Sequence, residues 1–472
     1  MQSSFAGEQL GKVCVLGLGR TGLAVADYLV GLGPGRVTSV SLYGGAKSRP
    51  DDATHALEGH GVRVICGTDA IEEDYDLAIV SPGIPEGSEF FVSAVEHSSI
   101  VMGEPEFAWR ESPDRWVAIT GTNGKTTTTL LATERLCCGG FEAQAVGNIG
   151  VVATGKVVDR SEGSWFVAEL SSFQLTTSRE LHPRVACLLN ITPDHLEWHG
   201  SFEAYVQAKE RIFQNLGEGD LAIVCVDDVC CRAIADRLEE RGLRVCRASA
   251  HAIPDTPHAA YQREGRLVVR LDGKDYTLVR KDSMTLEGDH NVLNALVASA
   301  LALEVGVSRD AVCHALLTFE PLEHRIEPCG ERGGVRFVND SKATNVDSVE
   351  KALMAFVPGT IVVLLGGHDK GTDLGTLAHA VSARCRAAVC YGEAGPRIAA
   401  AVRDADSGMG LTVFEEPHMA QAFDRAVSIA HRGDVVLLSP ACSSFDEFSS
   451  FQERGRAFKD MVAGLDAGGR NA

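Results

Sequence analysis

The stretch Gly121-Thr122-Asn123-Gly124-Lys125-Thr126-Thr127 sets two glycines, a lysine and hydroxyl side chains between an apolar run and a helical pattern. In that order the backbone N–H groups can converge on a phosphate, Lys125 can reach the β and γ phosphates, and the Thr126 hydroxyl can ligate Mg²⁺. Position 119 is Ile, so the run is one residue off the usual spacing of such loops. An ordinary glycine-rich turn between strand and helix is the competing reading.

Three further residues could act with this loop. Glu169 ends the apolar run Ser164 to Glu169, where a carboxylate is costly unless it meets a cation or water. A Mg²⁺ ligand and a solvated strand-end acid are its two readings. His195 and His199 stand four apart, but Pro193 breaks the run and no third soft ligand is near, which disfavours zinc. Lys209 falls at helical spacing with Phe202, Tyr205, Ile212 and Phe213, which puts it on an apolar stripe. Burial would lower its pKa, and a neutral amine can add CO₂ to become a carbamate; a snorkelling lysine is the alternative. Gly17, Gly19 and Gly22 form a second, weaker phosphate fingerprint. The acid expected further on for a dinucleotide ribose is missing, since the next strand ends Val40 to Gly45 without one. Some other diphosphate is favoured there, and a packed turn without ligand is the alternative.

The elements that must position these groups read as an α/β fold. Strand-like runs at 12–16, 77–80 and 99–102 alternate with helical stretches in a first, Rossmann-like domain, 1–112. After the breaker Ser112-Pro113-Asp114 comes a central P-loop ATPase-like domain, 113–320. Its strands are predicted at 116–120, 164–169 and 186–190, with hairpin-like alternation over 267–279 and a long helix over 291–305. A C-terminal Rossmann-like domain, 321–472, has strands predicted at 335–338, 360–365, 388–391, 412–414 and 434–438. Ligands bind at the carboxyl ends of such strands, and the third domain places Asn339 to Asn345, Gly366 to Gly371 and Ser439 to Ser444 there.

The chain has 472 residues and a formal charge of −20, which repels nucleic acid and anionic membranes. Small-molecule partners are expected instead, with no nucleic acid and no membrane, and a monomer is expected. Fourteen cysteines at irregular positions read as reduced thiols of a cytoplasmic protein. No leader-like or membrane-length apolar run occurs in the sequence.

Loop, acid, histidine and lysine in this order resemble the Mur ligase family of peptidoglycan-precursor enzymes, and the resemblance spans nearly the whole chain. Ser81 to Pro85, Gly147 to Gly150, Glu169 to Leu175, Asn339 to Asn345 and Ser439 to Phe445 are similar to motifs of its D-glutamate-adding branch. The Asp-Asn-Pro-Arg signature of the branches that add diaminopimelate or lysine is absent. The resemblance implies an ATP-dependent ligase in which a UDP-linked muramoyl-alanine carboxylate is phosphorylated and then attacked by the amine of D-glutamate.

Residue by residue, the resemblance implies that Gly121, Thr122, Asn123, Gly124, Lys125, Thr126 and Thr127 hold ATP, with Asn291, Asn294, Arg325 and Asp340 toward the nucleotide. Thr126, Glu169, His195 and a carbamylated Lys209 would organise two Mg²⁺ ions, and Lys342 would lie near the transferred phosphate. Gly19, Arg20, Thr21, Gly83, Asn148, Gln174 and His195 would meet the UDP-muramoyl substrate. Thr344, Lys370, Ser444 and Phe451 would meet D-glutamate. Tyr43-Gly44-Gly45 departs from the family's usual Asp-Thr-Arg-like run at the uridine end. Domain closure about hinges near Pro113 and Pro321 is expected. A sister ligase such as folylpolyglutamate synthase, a nucleotide-binding regulator without ligation, and an oxidoreductase built on the first glycine motif are the competing assignments.

Overall fold

The computed structural model describes residues 7–286, 288–319, 323–369, 371–405 and 411–467. Three sheets run through the chain in sequence order. The first has strands β1 (Gly11–Leu16), β2 (Val37–Tyr43), β3 (Arg63–Ile65), β4 (Tyr75–Val80) and β5 (Ser98–Gly103), all parallel, in the order β3-β2-β1-β4-β5. The second comprises β6 (Trp116–Thr120), β7 (Ala143–Gly147), β8 (Trp165–Glu169), β9 (Val185–Leu188), β10 (Leu221–Cys225), β11 (Arg244–Ser249), β12 (Ala259–Arg263), β13 (Arg266–Leu271) and β14 (Lys274–Arg280). Its order is β14-β13-β12-β11-β10-β9-β6-β8-β7, parallel except for the β12-β13-β14 meander. In the third, β15 (Glu327–Arg332), β16 (Val335–Asn339), β17 (Ile361–Gly366), β18 (Cys385–Tyr391), β19 (Thr412–Glu416) and β20 (Val435–Ala441) take the order β15-β16-β20-β17-β18-β19.

The central strands are buried along their full length: Trp116–Thr120, Trp165–Glu169, Leu221–Cys225 and Ile361–Gly366 show no exposed residue. Helices on both faces of a parallel sheet demand such continuous apolar, β-branched runs, which is why the sequence announces these strands. The short strands β3, β7 and β15 went unpredicted, as did β11 and β12: three residues in β3, an alternating Ala-Gln-Ala-Val-Gly in β7 and a polar Glu-Pro-Cys-Gly-Glu-Arg in β15 carry little apolar signal. The predicted run 186–190 overshoots, because β9 stops at Leu188 and Asn190 turns into a loop. All fourteen cysteines are free thiols.

The chain divides into two compact units, 1–284 with 291–319 and 285–290 with 320–472. Within the first unit, the helix Glu104–Glu111 is buried from end to end and brings four charged side chains with it. Each is answered. Glu104 accepts from the N–H (2.7 Å) and hydroxyl (2.8 Å) of Thr154, and Glu111 accepts from Tyr28 (2.6 Å) and Arg36 (2.7 and 2.9 Å). Glu106 binds Arg110 at 3.1 Å and the backbone N–H groups of Arg179 and Glu180. This helix ties the first sheet to the second. Among the described residues no helix is long and apolar enough to cross a membrane.

The turn after β1 is closed by Gly22, whose added Cβ would stand 1.8 Å from the Gly17 carbonyl oxygen. Glycine to alanine within a helix ordinarily stabilises it. Here the sign reverses: Gly22→Ala should lower unfolding free energy by about 1–3 kcal/mol in urea titrations, and an unchanged or raised midpoint would contradict this packing.

Candidate active site

β6 lies in the interior of the second sheet, between β9 and β8, and delivers the loop Gly121 to Gly124 to the start of the helix Lys125–Cys138. Gly124 caps that helix at φ 81 without any side-chain cap hydrogen bond. A Cβ at Gly121 would stand 3.0 Å from Leu189 Cβ, and one at Gly124 would stand 2.6 Å from Asn294 Oδ1. Neighbouring chain is thus pressed against the loop, and only glycine fits. Asn190 pins it: the Asn190 carbonyl accepts from Thr122 N–H at 2.9 Å, its side-chain oxygen accepts from Asn123 N–H at 2.8 Å, and its amide donates to Asn123 O at 3.1 Å. Asn294 accepts from Thr128 Oγ1 at 3.2 Å and donates to Asn291 Oδ1 at 3.3 Å, so both predicted asparagines lie beside the helix start.

Two lysines meet at the loop. Lys125 Nζ donates to Gly121 O and Thr122 O, both at 2.8 Å, and Lys209 Nζ donates to the same Gly121 O at 2.8 Å. Lys209 is 1% exposed, on the helix Phe202–Glu210, with its ammonium 4.7 Å from the Tyr205 ring centre. That burial removes the snorkelling alternative. Desolvation, then the Lys125 charge, hold its pKa well below the ordinary lysine value. Tyr205 also joins Thr122 at 2.9 Å between hydroxyls.

Glu169, at the end of β8, is 2% exposed. Its Oε1 accepts from Asn148 Nδ2 at 2.7 Å, while its buried Oε2 has no hydrogen-bond partner among the described residues. A buried carboxylate oxygen left bare is a strong cation attractor, and the donor set here suits a hard, oxygen-seeking metal. Among the described residues no three His, Cys, Asp or Glu side chains gather as a metal-holding group. His195 adopts φ 53 and stands 4.8 Å from the Phe173 ring, half exposed; burial first, and then the two lysines, lower its pKa despite Asp194. His199 lies against Ser172 Oγ at 2.9 Å with its pKa pushed down to about 4, mainly by burial. Both shifts favour the neutral imidazole.

The loop after β1 starts the helix Arg20–Gly31 with Gly19 as an uncapped N-terminus. Arg20 Nη1 donates to Gly150 O at 2.9 Å, which brings Gly19, Arg20 and Thr21 to the turn that carries Asn148. Nothing lies within 4 Å of a Cβ built at Gly83. Gln174 is held in a capping box, its side-chain oxygen accepting from Ser171 N–H (2.9 Å) and Oγ (3.1 Å).

In the second unit the loops after β16 and β20 are held by Arg454, 0% exposed. It donates to Ser341 Oγ (2.9 Å), Ser341 O (2.9 Å), Cys442 O (3.0 Å) and Ser443 O (3.3 Å). Lys342 Nζ lies 4.1 Å from the Phe451 ring centre, and Thr344 N–H bonds Lys342 O at 2.8 Å, so these three predicted residues cluster. Ser444 is buried at the end of the β20 loop, where its carbonyl accepts from Phe448 N–H at 2.8 Å. Asp340 accepts from Ser439 Oγ at 2.8 Å and Ile326 N–H at 3.2 Å, and burial pushes its pKa up to about 7. Arg325 is its neighbour in charge. Lys370 and Pro321 lie outside the described residues. Asn190 and Arg454 were missed by the sequence reading, although Asn190 follows an apolar strand and Arg454 stands at helical spacing from Phe451 and Phe458.

The chain matches the model of the Mur ligase middle domain over residues 119–302 and that of the Mur ligase glutamate ligase domain over 324–442. It is 37% identical over 451 residues to a UDP-N-acetylmuramoylalanine–D-glutamate ligase of Koribacter versatilis, covering 96% of this chain and 97% of the relative. To the enzyme so named in Acidobacterium capsulatum it is 39% identical over 459 residues, 96% of each. Its fold is that of solved ligases: MurF of Acinetobacter baumannii superposes with TM-score 0.59 at 17% identity over 89% of this chain and 90% of that one. UDP-N-acetylmuramate-alanine ligase MurC of Thermotoga maritima gives TM-score 0.56 at 20% identity over 96% and 99%. A glycine-rich loop with its lysine at the end of β6, an acid at the end of β8 and near-complete coverage by such relatives lead to one conclusion: the chain belongs to the Mur ligase family.

Proposed function

We propose that this chain is the ATP-dependent ligase that joins D-glutamate to UDP-N-acetylmuramoyl-L-alanine in cytoplasmic peptidoglycan-precursor synthesis. The observation that carries the reading is the glycine loop with two lysines on one carbonyl, backed by the full-length relatives of that name. The muramoyl-alanine carboxylate takes the γ-phosphoryl group of ATP and ADP leaves; the D-glutamate amine then adds to the acyl carbon and phosphate leaves as the amide forms.

In this reading the N–H groups of Gly121 to Thr127 and the Lys125 ammonium receive the triphosphate, since oriented donors in a site shut from water stabilise charge as it develops. Thr126, Glu169, His195 and Lys209 would hold magnesium at two positions, where it would supply positive charge against the phosphates and the carboxylate. The bare Glu169 Oε2 supports this. Burial first, and then the Lys125 charge, favour the neutral amine of Lys209, the form that can add CO₂; the carboxylate so formed would attract Lys125. Gly19, Arg20, Thr21, Gly83, Asn148, Gln174 and His195 are assigned to the UDP-muramoyl substrate. Thr344, Lys370, Ser444 and Phe451 are assigned to D-glutamate, Lys342 to the transferred phosphate, and Asn291, Asn294, Arg325 and Asp340 to the nucleotide. A division at 112 and 320, and a monomeric state, belong to the same proposal.

The direct test is phosphate release from ATP with UDP-N-acetylmuramoyl-L-alanine present. D-glutamate should raise the rate at least about tenfold over L-glutamate, L-lysine or L-alanine; equal rates with all four would refute the assignment. The carbamate has its own test. Native protein in bicarbonate should show a labile 44-dalton adduct that Lys209→Ala lacks, and the variant should lose about 10²-fold or more in rate, partly restored by short carboxylic acids. Full activity of the variant without CO₂ would remove the carbamate.

A further inference from the structure

Arg454 stands in the first turn of the helix Phe451–Ala467 and is fully buried, yet among the described residues it makes no ion pair. All its hydrogen-bond partners are neutral, the hydroxyl and carbonyl of Ser341 and the carbonyls of Cys442 and Ser443. Glu447 feels this charge but accepts from Met419 N–H at 3.2 Å and forms no bond to the guanidinium. Burying a guanidinium away from carboxylates is costly, and dipoles orient the charge without cancelling it.

The partners stand at the carboxyl ends of three neighbouring strands. β16, β20 and β17 are adjacent in the third sheet; Ser341 follows the first, Cys442 and Ser443 the second, and Gly367 the third. Gly367, at φ 128, lets its loop approach: a Cβ there would stand 2.2 Å from Ser443 O and 3.0 Å from Arg454 Nη1. His368 N–H donates to the same Ser443 carbonyl at 2.9 Å. The Ser341 hydroxyl carries the contact further, donating to Phe451 O at 2.9 Å. The guanidinium thus joins all three loops at the edge where an open α/β sheet receives its ligand.

We infer that Arg454 is a positioning residue for the amino-acid substrate. It fixes the loops after β16, β17 and β20 in one arrangement, and its uncancelled charge draws a dicarboxylate toward them. This rests on the ligase reading, in which Thr344, Ser444 and Phe451 meet D-glutamate, and assigns to Arg454 a kinetic constant that the reading leaves open. The residues assigned to the UDP-linked substrate all lie in the first unit, so its binding serves as the internal control.

Phosphate release is measured with full-length native protein and three variants, varying D-glutamate or UDP-N-acetylmuramoyl-L-alanine. Arg454→Lys keeps the charge and loses the fork, and Arg454→Met loses both. Ser341→Ala leaves the guanidinium on three carbonyls and cuts only its link to Phe451. The D-glutamate KM should rise about tenfold or more in Arg454→Lys, further in Arg454→Met and about threefold in Ser341→Ala, as loss of charged hydrogen bonds requires. The KM for the UDP-linked substrate should stay within about twofold of native. Equal D-glutamate KM values for Arg454→Lys and Arg454→Met would overturn the part given to charge. An unchanged D-glutamate KM, a parallel rise in both KM values, or failure of all three variants to fold would leave Arg454 a purely structural residue and overturn the inference. Native protein whose phosphate release ignores D-glutamate would instead overturn the ligase reading beneath it.

Discussion

One carbonyl oxygen, that of Gly121, accepts hydrogen bonds from two lysine ammonium groups, Lys125 and Lys209, at 2.8 Å each. Desolvation, and after it the nearby Lys125 charge, lower the Lys209 pKa and favour its neutral amine. In a chain of formal charge −20 the Lys125 ammonium at the helix start is a local device for receiving an anion. A triphosphate and an acyl phosphate are the anions that the loop geometry can receive.

The remaining architecture serves that point. β6 must be central for its loop to be flanked by β8 and β9, which bring Glu169 and Asn190 alongside. Asn190 then fixes the loop from one side and Asn294 from the other, so that a Cβ at Gly121 or Gly124 has no room. In the second unit Arg454 performs the corresponding task for the Ser341 and Ser443 loops by donating to their carbonyls. Both devices orient backbone with polar side chains that each make several hydrogen bonds at once.

Much of this was legible in the sequence for a physical reason. Strands buried on both faces must be apolar throughout, so Trp116–Thr120 and Ile361–Gly366 stand out, and the polar residues just beyond them mark the site. Lys209 was legible because an ammonium on an apolar stripe contradicts its neighbours. Edge strands such as β15, with half their residues facing solvent, leave no such trace. Arg454 escaped because its role rests on three carbonyls and a hydroxyl, those of Ser341, Cys442 and Ser443, that only the fold brings together. Contacts of that kind follow from tertiary packing and not from local pattern.

The account stands on Lys125 and the loop amides gripping the triphosphate. Calorimetric titration of the non-hydrolysable ATP analogue AMP-PNP with Mg²⁺ into native and Lys125→Ala protein tests this directly. The account predicts that the variant stays folded and loses about 2–3 kcal/mol of nucleotide affinity, the worth of a charged hydrogen bond in such a site. Unchanged nucleotide affinity together with unchanged amide-bond formation would contradict it.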